Sequence, residues 1–450
     1  MTGNTSYLKK SVFLQNKKRQ IMKRLYTFII LSCNILIHNI NAQDSLFCRN
    51  VICNLSSPQM HGRGCAYEGD SIAADFIKQK CIEIGLKSLT NDFYQHYSYP
   101  AYAMEGECNI TVNNQTMVAG KEYLICNFSS PIAQNNIPIL YTDIKTVAIP
   151  DSLNKFIDKH KSIIPKCIIY VQNADNPTKV EEKCLRSFKK INPFGSIGII
   201  VGQKTLPMAS VSNYPEDYNS ALIYVIDTLF DSKPSKISVS FSNQLVDHNT
   251  QNVCAFIEGS EVKDSFMVFT AHYDHVGRMG KDVYFPGAHD NASGVAAVLD
   301  IAKYFQQNKP KYSVAFLFFS GEEAGIIGSS LFVENPLIPL DRIKLVVNLD
   351  MFCGGDEGIM VVNSQDKHTK VFYDNMVAIN NERHYVSDIK SRPNAANSDH
   401  YPFSEHCPAI FIYTMGGKYG GYHNIYDSCD KCGLENYENI ISLIVNAVAR

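Results

Sequence analysis

The chain has 450 residues, 45% of them hydrophobic and 19% charged, with a formal net charge of -2. That much apolar content supports a large core divided over two or three structural units. The lack of a basic excess excludes nucleic acid or an acidic membrane surface as a natural partner.

Residues 17–45 read KKRQIMKRLYTFIILSCNILIHNINAQDS, with a Lys/Arg-rich start, an apolar run and a small residue, Ala42, where cleavage fits. This is the pattern of a secretory signal peptide over residues 1–42, and Met22 followed by Lys-Arg offers an alternative start. The apolar run from Leu25 to Ile37 is broken by Ser32, Cys33 and Asn34. It falls short of the roughly 20 residues that a span requires, so no stable membrane span is expected after cleavage. The expected location is secreted or periplasmic, with ILSC as a loose lipobox and Cys33 as the alternative, lipid-anchored version. Fourteen cysteines fit an oxidising compartment in which some pair. Cys429 and Cys432, in DSCDKCG, have no second CxxC to complete a zinc site and are expected to pair with each other or with other cysteines.

Between residues 51 and 87, Ala73, Phe76, Ile77, Cys81 and Ile84 recur at helical spacing and Gly85 follows as a stop, which predicts a core-facing helix. Over 91–245, Tyr, Thr, Asn and Pro rise and short β-type runs appear, CIIYV (167–171), IGIIV (197–201) and ALIYVI (221–226). These predict an inserted β-rich domain. Further on, strands alternate with helical stretches: SFMVFTA (265–271), the amphipathic stretch after GAHDNASG, YSVAFLFFS (312–320), IKLVVNL (343–349), AIFIYTM (409–415) and a final helix in NYENIISLIVNAVAR. The expected fold class is therefore α/β, a central mixed, largely parallel twisted sheet flanked by helices, built from 43–90 and 246–450 with the β-rich insert between them.

In sheets of this kind ligands bind beyond the carboxyl ends of the strands, and each apolar strand here is followed at once by metal-type ligands. AHYDH brings His272 and Asp274, SGEEAG brings Glu322 and Glu323, and NLDM brings Asp350. Asp290 in GAHDNASG and His423 in GYHNIYDS complete a set of imidazoles and carboxylates without a thiolate. Taken alone, Asp290 reads as a helix cap; the recurrence of ligand types at successive strand ends turns the reading towards metal. Nitrogen and oxygen donors suit zinc, with cobalt or manganese as substitutes. A pair of ions roughly 3.5 to 4 Å apart, sharing one carboxylate, would use the whole set. The negative charge of the ligand carboxylates and a bridging hydroxide also calls for two divalent ions, because such a cluster would be costly to bury alone.

The segments LSSPQMHGRG, NVCAFIEGS, AHYDHVG, GAHDNASG, FFSGEEAGIIGS, VNLDM, SDHYPF and YHNIYDS, in this order, resemble the secreted zinc exopeptidases that include bacterial leucyl aminopeptidases and glutamate carboxypeptidases, metallopeptidase family twenty-eight. The resemblance covers residues of about 50–90 and 250–450, and it makes the insert similar to a protease-associated domain. It implies two zinc ions, with His272 and Asp350 on one, Glu323 and His423 on the other, and Asp290 bridging. Glu322 then becomes the general base, Asp274 the acceptor for the free N–H of His272, and Tyr422 a donor to the oxyanion. A cis peptide after Asp290 is implied as well. Asp399 and His400 line the site, with His400 the alternative to His423, whereas His275 and His289 are bystanders. Asn291, Ser293 and Gly294 shape the start of the helix.

The function this implies is a metallo-aminopeptidase that removes N-terminal residues from peptides, using water activated by Glu322. A carboxypeptidase of the same family and a non-catalytic peptide-binding relative are the alternatives. Glutaminyl cyclase is disfavoured because its site is associated with Trp and the chain contains none.

Overall fold

The computed structural model describes residues 44–211, 218–417 and 421–449. The proposed leader and Cys33 lie outside the described residues. A nine-stranded sheet carries the candidate site. Its order is Lys87–Ser88, Gln244–Ile257, Tyr312–Phe319, Val262–His272, Ile343–Leu349, Ala409–Thr414, Ile359–Val362 and Ile389–Arg392, with Tyr94–Ala103 also paired to Gln244–Ile257. The four strands from Tyr312–Phe319 to Ala409–Thr414 run parallel and their outer neighbours antiparallel. The sheet is thus mixed and flanked by helices, as the alternating pattern predicts.

The central strands are buried on both faces and read as continuous apolar runs, as parallel strands covered by helices must. On one face lie the helices Ser45–Leu55, Gly69–Ile84, Ser293–Gln307, Lys370–Arg383 and Tyr437–Ala449, packed on Phe269, Phe316, Phe318 and Val347; on the other, Phe332 and Phe403 bring Ile327–Glu334 and His400–Ser404 against Val268, Leu317 and Phe319. Fully burying each of these large side chains contributes about 1.5–3 kcal/mol. Helix Ser45–Leu55, which sequence periodicity did not single out, starts at Asp44, whose carboxylate accepts from Phe47 N–H at 2.8 Å.

A second, eight-stranded sheet is built from residues 108–241 and has its own apolar core. It is less purely β than the sequence suggests. Strands Ile132–Asp143, Ile168–Gln172, Gly198–Gln203 and Ala221–Ile226 are parallel, and helices Pro150–His160 and Lys179–Ser187 lie in the connections. The second of these opens with Thr178 and Glu181 capping each other's backbone, a readable signal that the abundance of β-type residues obscured.

Parallel register brings the site together. His272 pairs with Phe319, and Thr270 with both Leu317 and Asn348. The residues that follow each strand therefore emerge along one edge of the sheet. Gly294 lets the long helix approach that edge, since a Cβ there would lie 2.3 Å from the Leu349 carbonyl oxygen.

Candidate metal centre

Two groups of side chains converge at this edge. His272, Asp290 and Asp350 form one, and His275, Asp290, Glu323 and His423 form the other; within each, the potential ligand atoms lie within 4.8 Å of one another. Asp290 is common to both. Its Oδ1 is 3.3 Å from His272 Nε2, its Oδ2 is 2.9 Å from His423 Nε2, and its peptide bond to Asn291 is cis. His272 Nε2 also lies 3.4 Å from Asp350 Oδ1, and His423 Nε2 lies 3.1 Å from Glu323 Oε1.

The electrostatics call for cations. Burial alone would lower the pKa of both imidazoles, yet the carboxylates around them push His272 well up and His423 up to about 11. Although burial pushes the other way, hydrogen bonds from His272 and His423 hold the Asp290 carboxyl well below its usual range, and Glu323 is drawn down to about 2, chiefly by His423 and His275. Glu322 goes the other way. Burial, reinforced by Asp399, Glu323 and Asp350, raises its carboxyl well above the ordinary value despite the attraction of His272. The donor set fits divalent metal on a structural observation too. Asp350 Oδ1 is a buried oxygen with no hydrogen-bond partner, and an orphaned buried acceptor is costly unless something positive faces it.

Supporting contacts fix this geometry. Ser398 Oγ donates to Asp350 Oδ2 at 2.8 Å. The Asp274 carboxylate accepts from Glu322 N–H and Glu323 N–H, both at 3.2 Å. His272 Nδ1 is closer to the Asp274 carbonyl oxygen, at 3.2 Å, than to its carboxylate, at 3.5 Å, so Asp274 orients the glutamate pair as well as the imidazole. Asn291 Oδ1 accepts from Gly294 N–H and Met351 N–H, and Ser293 Oγ from Phe352 N–H, shaping the helix start. Tyr422 is 40% exposed and stacks on His423 with ring centroids 4.0 Å apart.

Asp399 and His400 lie outside both groups. Asp399 accepts from Ser329 Oγ at 2.6 Å, and burial, the largest effect, lowers the His400 pKa to about 4. His289 is also outside, its Nδ1 accepting from Cys353 N–H. His275, expected as a bystander beside a ligand, instead falls within one of the two groups: its Nδ1 lies 2.7 Å from Glu323 Oε1.

Two further residues escaped the sequence reading although both sit inside quoted motifs. Arg63, of HGRG, is fully buried and donates to the carbonyl oxygens of Leu55, Tyr273, Pro286, Gly287 and Asp290. Asp427, of YHNIYDS, accepts from His289 N–H and Asp290 N–H at 2.7 and 3.1 Å. A buried cation thus holds the carbonyls of the Asp290 loop and a buried anion its N–H groups. The CxxC cysteines pair with distant partners, Cys53–Cys429 and Cys353–Cys432.

Comparison with known proteins bears on the family and the fold. Residues 252–448 match the model of Peptidase family M28. A probable zinc metalloprotease of Pyrenophora teres f. teres is 35% identical over 107 residues, 23% of either chain. Aminopeptidase YwaD of Bacillus subtilis is 29% identical over 170 residues, 37% of this chain and 35% of its own. The matched segments thus span about a quarter to a third of these relatives' length. The crystal structure of BSAP, a zinc aminopeptidase from Bacillus subtilis, superposes with a TM-score of 0.65 over 90% of this chain and 96% of its own at 16% identity, which supports the fold.

The expected secreted or periplasmic location is corrected by three fungal relatives, from Schizophyllum commune, Candida glabrata and Kluyveromyces lactis, each named vacuolar membrane protease. A leader-like sequence pattern does not by itself fix the final compartment. Among the described residues no helix is long and apolar enough to cross a membrane. The strand-end motifs, the segment matched and the architecture agree, and residues 252–448 match a domain of peptidase family M28.

Proposed function

We propose that the chain is a di-zinc aminopeptidase. The observation that carries this is the arrangement around Asp290, whose two carboxylate oxygens face different imidazoles. On this reading His272 and Asp350 hold one ion, Glu323 and His423 the other, and Asp290 is shared. Such an ion pair supplies Lewis acidity, polarising a carbonyl oxygen and bringing the pKa of water from about 16 towards 7. Cobalt or manganese would serve in place of zinc.

The protein's own groups move the protons. Glu322 precedes a ligand but makes no contact that would occupy it as one, and its raised pKa suits a group that takes a proton from the attacking water and returns it to the leaving amine. Asp274 fixes Glu322 through its backbone N–H. Tyr422 donates to the oxyanion; although the residue is 40% exposed, partial desolvation and the surrounding carboxylates raise the pKa of its phenol and keep it protonated. Residues 91–245 act as an inserted domain of the protease-associated kind.

Glu322→Gln tests the assignment. The variant should keep its zinc and lose about 10²–10⁴-fold in kcat; full turnover with intact metal would remove Glu322 from the mechanism. A second reading, carboxypeptidase, is favoured by the exposed Lys121 on a cavity of 340 Å³ that His423 also lines, a cation that could meet a terminal carboxylate. A panel of aminoacyl and N-blocked chromogenic peptides separates the two, since cleavage of blocked substrates would overturn the aminopeptidase reading.

A further inference from the structure

The second sheet reaches the metal centre at two points. The loop 204–211 brings Ala209 against His423 in a reciprocal pair: Ala209 N–H donates to the His423 carbonyl oxygen at 2.9 Å, and His423 Nδ1 lies 3.0 Å from the Ala209 carbonyl oxygen. The partners are 214 residues apart in sequence. A carbonyl oxygen only accepts, so Nδ1 carries the hydrogen, and the Nε2 lone pair is the one turned towards Asp290 and Glu323. His423 also holds a left-handed backbone, φ 51°, a conformation uncommon outside glycine although histidine adopts it more readily than most residues.

The second point of contact is the segment between His272 and Asp290. It buries Met279 and Phe285, 2% and 3% exposed, in the core of the second sheet, where they join Leu124, Ile125 and Tyr224. Met208, Ala209, Val276, Met279 and Phe285 line one small shared cavity at this seam.

We infer that the second sheet is a working part of the metal site, with Ala209 as a positioning residue that fixes the tautomer and aim of His423 through its backbone. The inference rests on the reading of His423 as a metal ligand. Ligating imidazoles generally have their other nitrogen held by a hydrogen bond, and removing that partner typically weakens metal binding about 10–100-fold. What is specific here is that the partner comes from the inserted segment. Seating of the second sheet is thereby coupled to how tightly one of the two ions is held, and Met208 lines a cavity that His423 also borders.

The test weakens the one acceptor. Lactic acid incorporated at position 210 converts the Ala209–Ser210 amide into an ester, whose carbonyl accepts poorly; Ser210→Ala keeps the amide and is the matched control. Cobalt(II) is titrated into the metal-free full-length proteins, with d–d absorption following each equivalent and a chelator competing. The expected result is that one cobalt equivalent loosens about 10–100-fold in the ester protein, with an altered band shape, while the other binds as in the control. Two equivalents bound as tightly as in the control would overturn the inference and leave the di-metal reading intact. A natural protein that takes up no cobalt or zinc would overturn that reading, and this inference with it. Ala209→Pro, which removes the N–H donor to the His423 carbonyl, should loosen the same equivalent.

Discussion

Arg63→Lys offers a demanding test of how the site is held. The guanidinium is buried without a carboxylate in direct contact and spends its N–H groups on five carbonyl oxygens, at 2.6–3.2 Å, of Leu55, Tyr273, Pro286, Gly287 and Asp290. Tyr273 follows His272, and Pro286 to Asp290 form the loop of the shared ligand. A lysine ammonium has three donors on one nitrogen, so at least two of the five carbonyls lose their partner. Hydrogen bonds to charged groups contribute about 1.5–3 kcal/mol each, so the cost is about 3–6 kcal/mol. The amine is penalised further. Burial already lowers the Arg63 pKa to about 10, against the pull of Asp427 and Asp290, and lysine starts lower. Calorimetric unfolding of the metal-loaded and chelator-treated proteins measures the loss, and the metal content of the dialysed variant shows whether the Asp290 loop has shifted. A variant whose stability stays within about 0.5 kcal/mol of the natural protein, the range of an ordinary surface change, would refute the reasoning.

Asp300 gives a pH signature away from the metal centre. Burial, its largest influence, raises its pKa from 3.8 to about 6, although Asp44 N–H and the Tyr437 hydroxyl donate to it. The folded protein thus binds this proton more tightly than the unfolded chain. The contribution of Asp300 to stability should be full below about pH 4 and fall by up to ~3 kcal/mol as pH rises through 6. Asp300→Asn should flatten that slope and stabilise the protein at pH 7; denaturant melts at several pH values showing the same slope would contradict it. Replacing both cysteines of the Cys53–Cys429 bridge with serine should cost about 2–5 kcal/mol and lower the melting temperature. It should also weaken metal retention, because Cys429 follows Asp427 closely along the chain; a double variant that melts unchanged would show that the bridge constrains nothing.

That potential metal ligands gather at one edge of the sheet was legible from sequence, because periodicity and position suffice for it. Parallel strands that begin in register end in register, so ligand-type residues directly after successive apolar runs are forced to one edge of the sheet. His272, Glu322, Glu323 and Asp350 follow from that rule alone, and the two groups that share Asp290 meet where it places them. The helical content of the second sheet was less legible because its helix Pro150–His160 is short, with Leu153, Phe156 and Ile157 marking its inner face over little more than one turn. The location was misread from a leader-like pattern, which describes a route and not a destination.

Tertiary structure alone decided the contacts that hold the ligands. Arg63, His275 and Asp427 are ordinary polar residues in a one-dimensional reading, and Ala209 has no functional side chain at all. Their roles arise from backbone carbonyls and N–H groups, which every residue carries, and from loops whose course no periodicity specifies. Sequence encodes which side chains are chemically competent. The folded chain alone determines which anonymous peptide groups stand 3 Å behind them, since a hydrogen bond depends on distance and direction and leaves no mark in residue type.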